Sequence, residues 1–137
     1  MRRTALTIGL TLVVGIGVGV AGTQFLSAQQ TGIKRTVLLK KDLAGIEGKE
    51  AVLVMVELPA GASAGKHYHP GHELGYVLEG SATLMVEGQP PVTLNPGNTY
   101  HVDASRVHDA KNSGTTAAKL FAVFVVEKGK PLTTPVQ

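Results

Sequence analysis

At 137 residues the chain is long enough for one domain and too short for two of ordinary size. It has no cysteine and no tryptophan, and its net charge of +3 falls to +1 once Arg2 and Arg3 are set aside, leaving 11 basic residues against 10 acidic ones. A disulfide framework, a thiolate metal cluster and a strongly basic nucleic-acid stripe are thereby excluded.

The first 28 residues read as an export signal. Met1-Arg2-Arg3 is basic, Ala5 to Val20 is apolar and uncharged, and small and polar residues follow through Ser27-Ala28. Cleavage after Ala28 fits this pattern, with an earlier cut near Gly22 as an alternative. If the segment is kept, residues 5–28 anchor the protein in an inner membrane, because the uncharged stretch from Thr4 to Ala28 exceeds the ~20 residues that span a bilayer. The expected location is periplasmic or secreted.

Residues 29–35 read as a flexible lead, 36–128 as the folded domain and 129–137 as a loosely held tail. Thr36 to Leu39 is a first strand ending near Asp42, and Gly45 and Gly48 mark a turn. Lys49 to Leu58 puts Val52, Val54 and Val56 on one face and Leu53 and Met55 on the other, which predicts a central strand covered on both sides. Pro59-Ala60-Gly61 closes it, and another strand opens near Lys66. Leu74 to Leu78 follows, and Glu79-Gly80 is a hairpin signal leading into Ala82 to Val86. Val92 to Leu94 is stopped by Asn95-Pro96-Gly97. Thr99 to Val102 comes next, then a loop carrying His108, then the apolar run Lys119 to Val126. No stretch has a helical period. Short strands between turn signals predict an all-β sandwich or barrel.

The chemistry sits in His67, His69 and Glu73. Histidines at i and i+2 project from one face of a strand, so both imidazoles can reach one ion. Pro70-Gly71 then breaks the strand, and the Glu73 carboxylate is expected to swing back from the far side of a short loop. Imidazole and carboxylate donors suit a divalent ion such as Mn, Fe, Ni, Cu or Zn. Tyr68, between the histidines, should point away from it. His72 adjoins Glu73 as an orienter, a proton shuttle or an exposed side chain. Tyr100 and His101 alternate, so one of them must face inward. If Glu73 faces inward, Gly75 shares its face and leaves room for a ligand.

These residues resemble the cupin family. Its first motif, Gly, five residues, His-x-His, three or four residues, Glu, six residues, Gly, is matched by Gly61, His67, His69, Glu73 and Gly80. Its second, Gly, five residues, Pro-x-Gly, two residues, His, three residues, Asn, is matched by Gly97, His108 and Asn112, with Asp103 in place of Pro and Ser105 in place of Gly. The resemblance runs from Thr36 to Val126. It implies a double-stranded β-helix, or jelly-roll barrel, with His108 as the fourth ligand of one divalent metal ion, Mn or Fe before Zn, Ni or Cu. Members commonly form dimers, for which the first strand or residues 121–126 would supply the contact.

Four protein ligands on a six-coordinate ion leave two open positions. The sequence therefore fits an Fe- or Mn-dependent oxygenase or oxidase acting on a small organic molecule, with Glu73 or His72 as base. The alternatives are a metal-dependent isomerase or hydrolase and a barrel that binds a small molecule or metal without catalysis. Absence of tryptophan removes the usual stacking platform for a sugar.

Overall fold

The computed structural model describes residues 32–137. The expected export segment, residues 1–28, lies outside them. Among the described residues there is no helix, and the strands are β1 (Lys34–Asp42), β2 (Lys49–Leu58), β3 (His67–Tyr68), β4 (Gly71–Glu79), β5 (Ala82–Val86), β6 (Val92–Leu94), β7 (Thr99–Val102), β8 (His108–Lys111), β9 (Ala118–Glu127) and β10 (Thr134–Pro135). Two five-stranded sheets face each other, ordered β1-β2-β9-β4-β7 and β10-β3-β8-β5-β6, and every pairing is antiparallel.

The alternation of β9 explains why the sheets close on each other. Ala118, Leu120, Ala122, Phe124 and Val126 are all buried, while the residues between them are half-buried. A period of two puts the first set on the inner face. Leu120 packs with Val77, Leu84, Leu94 and Val102, drawn from both sheets. Val52, Val54, Ala122, Phe124 and Val126 form a neighbouring cluster. Each valine, leucine or phenylalanine among them stabilises the fold by roughly 1.5–3 kcal/mol on full burial.

Several expectations change. The strand over Lys49–Leu58 is central, between β1 and β9, but its two faces differ: Val52 and Val54 are buried, whereas Leu53 and Met55 stay half-exposed, because no other described element packs over that side of the sheet. The lead is ordered from Lys34 onward, since β1 pairs with β2 as far as Lys34 opposite Glu57, and Ile33 packs against the cluster of Leu58, Ala62, Ala82 and Ala118. The chain end is not loose. Thr134 pairs with Tyr68 and Pro135 with His67, and Val136 N donates to Lys66 O at 2.9 Å. Its polar sequence hides this, because the pairing uses backbone groups rather than an apolar stripe.

Glu73 is not beyond a loop; it is the third residue of β4, which starts at Gly71. A Cβ at Gly71 would stand 2.0 Å from the Val125 carbonyl oxygen, so glycine lets β4 approach β9 immediately after Pro70. The chain thus crosses from one sheet to the other between His69 and Gly71. His108, expected in a loop, opens β8 and lies opposite His67.

Candidate metal centre

The crossing between sheets assembles the site. β3 and β8 deliver His67 and His108 as partners across one rung, His69 follows β3, and β4 presents Glu73 from the opposite sheet. All four side chains are buried. The ring nitrogens of His67, His69 and His108 available as ligands lie within 4.8 Å of one another. Glu73 Oε2 is 3.1 Å from His69 Nε2 and 3.1 Å from His108 Nε2. Tyr68 does not line this cavity; it borders a shallow groove with Pro70 and Pro131 on the other side.

Each imidazole is held by its other nitrogen. Nδ1 of His67 bonds Gly65 O at 2.6 Å, Nδ1 of His69 bonds Leu132 O at 2.7 Å, and Nδ1 of His108 bonds Arg106 O at 2.9 Å. A carbonyl only accepts, so Nδ1 carries a proton and Nε2 is the nitrogen left to face the centre, where it ligates when unprotonated. Leu132 belongs to the segment read from sequence as a tail, which therefore orients a site residue. His69 Nε2 is buried without a hydrogen-bond partner. Such an orphan is costly unless something coordinates it. Three converging imidazole lone pairs and a carboxylate fit a divalent transition-metal ion.

Electrostatics set the protonation states. Burial lowers the His67 pKa to about 4, aided by the neighbouring His108 and His69. Burial opposes ionisation of Glu73, yet the close imidazoles of His108 and His69 outweigh it and hold the carboxyl well below the usual carboxylate range. Burial also lowers His108, but its bonds to Glu73 and Arg106 win and the pKa rises. Without metal, the Glu73 carboxylate thus favours a proton on His108, beside a neutral His67. Because the His67 pKa is depressed in the fold, its contribution is complete above the unfolded value near 6.5 and is lost as pH falls toward 4. The metal-free protein is expected to lose roughly 3 kcal/mol of stability across that window, measured by denaturant melts at stepped pH, and His67→Gln should flatten the profile. An equal loss in the variant would reject His67 as the source.

Tyr100 is the inward residue of the pair left open by sequence, and His101 is exposed. The Tyr100 hydroxyl donates to Glu73 Oε1 at 2.8 Å, and burial followed by the Glu73 charge pushes its pKa well above the ordinary value. Its ring fills the place beside Gly75 that was expected to remain open: a Cβ there would meet the ring at 2.0 Å. Gly75 makes room for Tyr100 rather than for a ligand. His72 is exposed on the outer face of β4, one residue from Glu73 and turned away from the cavity, so it is not the base of this site. Sequence reasoning left Tyr100 open and missed the Leu132 carbonyl and Arg35, which lines the cavity.

A family profile described as Cupin domain matches residues 54–124. The chain belongs to the cupins. It is 33% identical over 118 residues to quercetin 2,3-dioxygenase of Bacillus subtilis (80% of this chain, 33% of that one) and 32% identical over 87 residues to dimethylsulfoniopropionate lyase DddQ of Ruegeria pomeroyi (60% and 39%). It spans about a third of the first relative and two fifths of the second. A Klebsiella pneumoniae protein with a double-stranded β-helix domain superposes with a TM-score of 0.61 at 21% identity, covering 74% of this chain and 84% of that one. The cupin fold is thus established for the described domain.

Cupin spacing also explains Ser105. It replaces the glycine of the second motif and is the one non-glycine among the described residues with positive φ, at 61°. Its N–H donates to His69 O at 3.0 Å, which locks the turn before His108 against the first motif. A left-handed conformation costs a side chain ~1–2 kcal/mol, partly offset by the ~0.5–1 kcal/mol that glycine loses in unfolded-state entropy. Ser105→Gly should therefore raise stability by up to about 1 kcal/mol, read as a melting point a few degrees higher. A lower melting point would contradict this account.

Proposed function

We propose that the cupin barrel holds one divalent ion, Mn or Fe, through His67, His69, His108 and Glu73, and serves as a small exported oxygenase or oxidase acting on a small organic anion. The observation that carries this reading is the convergence of three Nε2 lone pairs and one carboxylate in a largely apolar cavity of about 120 Å³. That volume is well below the ~300–1,000 Å³ typical of sites for drug-sized ligands, which argues for a substrate of few heavy atoms.

A bound ion would supply Lewis acidity and, if Fe or Mn, redox chemistry. The protein's own groups do the rest. Val54, Val56, Leu84, Leu94, Leu120 and Phe124 line the walls and exclude water, which strengthens charge interactions inside. Arg35, at the rim, supplies a positive charge and a planar pair of donors suited to a carboxylate or enolate. Glu73, bonded to Tyr100, is the group placed to take a substrate proton, with the Tyr100 hydroxyl holding its second oxygen.

Purified protein should contain about one Mn or Fe per chain and consume oxygen with one or more small enediol or catechol-like acids. Arg35→Ala should raise KM for such an acid at least tenfold with a smaller change in kcat. Metal binding without oxygen uptake or other turnover across that panel would leave a ligand-binding barrel instead.

A further inference from the structure

The outer face of the first sheet carries a second group of ligating atoms, turned away from the cavity. His72 Nδ1 lies 3.0 Å from His101 Nε2, and Asp103 Oδ1 lies 3.7 Å from each. The β4–β7 ladder produces this arrangement. Glu73 pairs with Val102 and Leu74 with His101, so one further step in the same register sets His72 beside Asp103. His101 and Asp103, two residues apart, share the face opposite to Val102. The inward residues of these rungs build the cavity; the outward ones meet in solvent.

Ordinary surface hydrogen bonding accounts for only part of the geometry. One imidazole nitrogen donates to the other at 3.0 Å, but at 3.7 Å the carboxylate oxygen is outside hydrogen-bond range of both. The rings lie near parallel, with centroids 5.2 Å apart and planes 22° from parallel. A point equidistant from three atoms at these separations lies about 2.0 Å from each, the length of a bond from zinc to imidazole nitrogen or carboxylate oxygen. The side chains are 49%, 50% and 67% exposed, so an ion reaches them from solution without opening the barrel.

We propose that His72, His101 and Asp103 form a second, surface site for a divalent transition-metal ion of the zinc, copper or nickel class. Two imidazoles and one carboxylate select these ions over the oxygen-seeking Mg and Ca, and the open side leaves positions for water or an added ligand. The ion joins β4, at the residue preceding Glu73, to the turn that leads from Asp103 to His108. Asp103 is the residue that replaces proline in the second cupin motif, so the third donor exists because of that departure.

The full chain, stripped with chelator, is titrated with zinc by calorimetry and with copper by electron paramagnetic resonance. Wild type is expected to take up a second zinc equivalent beyond that of the cavity. His72→Ala, His101→Ala and Asp103→Asn should each weaken it at least about tenfold, since losing a ligand costs no less than the ~10–100-fold of losing a ligand's partner. The His67→Ala/His108→Ala chain should keep it, whether or not the cavity binds metal. Copper bound to that double variant should show hyperfine coupling to two imidazole nitrogens, reduced to one in His101→Ala. All three surface positions are exposed, and melting curves confirm that each variant is folded. Zinc uptake that survives unchanged in both His72→Ala and His101→Ala would overturn the site, as would absence of any second equivalent in wild type.

Discussion

The variant His67→Ala/His108→Ala is expected to leave the barrel folded and unable to retain an ion in its cavity, where wild type is expected to carry one divalent metal per chain. The two residues face each other across one rung, and their removal leaves His69 and Glu73, two donors that reach in from different sheets. Losing a mere hydrogen-bond partner of a ligand weakens metal affinity by ~10–100-fold, so losing two ligands should exceed 100-fold. The second readout is stability. An ion at about a thousand times its dissociation constant stabilises the native state by ~4 kcal/mol. Wild type should therefore melt well above its chelator-treated form, and the double variant should show no such difference. Both truncations remove buried side chains whose polar partners are Glu73 and backbone carbonyls and whose ring contacts are with each other and His69, while the apolar clusters of the two sheets are untouched, so the apo fold should survive. Cavity metal that stays at full stoichiometry in the double variant would remove these residues as ligands. Because the surface cluster of His72, His101 and Asp103 competes for zinc, the measurement is best made with Mn or Fe, which imidazole pairs on a surface hold more weakly.

What the sequence discloses about this site follows from side-chain type and period. His67, His69, Glu73 and His108 were legible because rare residue types recur at fixed spacing, and the strands were legible because valine and leucine alternate between glycine and proline signals. Where the reading failed, the cause was a backbone event without a side-chain signature. Taking Pro70-Gly71 as a loop left the direction of His72 open; once Gly71 begins β4, alternation sends His72 outward and Glu73 inward. A single register, Gly75 opposite Tyr100, decides that Tyr100 rather than His101 joins the cavity, and no local pattern fixes a register. The same pairing fills the space beside Gly75. The role of residues 132–136 was hidden for a different reason: they contribute carbonyls and amide groups, which every residue has.

Asn112→Ala should be among the most destabilising single changes in the domain, at roughly 2–4 kcal/mol, with the melting point lower by about 10–20 °C. Asn112 is fully buried. Its Nδ2 donates to Leu58 O at 2.9 Å and to Thr116 O at 2.8 Å, and its Oδ1 accepts from Gly114 N at 2.9 Å. Its backbone joins in as well: Gly61 N donates to Asn112 O at 2.8 Å, and Asn112 N donates to Ala62 O at 2.9 Å. The first and second cupin motifs are thus tied together at this residue, between the end of β2 and the loop into β9. Alanine would leave the side-chain partners unsatisfied in a dry interior, where each lost bond exposes the full desolvation cost of its partner. Asn112→Asp separates hydrogen bonding from packing. It keeps the volume but aims a carboxylate at two carbonyl oxygens, so it should destabilise at least as much as alanine near neutral pH and recover in part when acid protonates it. If aspartate were tolerated at neutral pH, shape rather than donated hydrogen bonds would hold the two motifs together. The effect on the metal centre should follow the fold: His108 opens β8 and Asn112 directly follows its last residue, so metal retention in Asn112→Ala should fall with the melting curve and not before it.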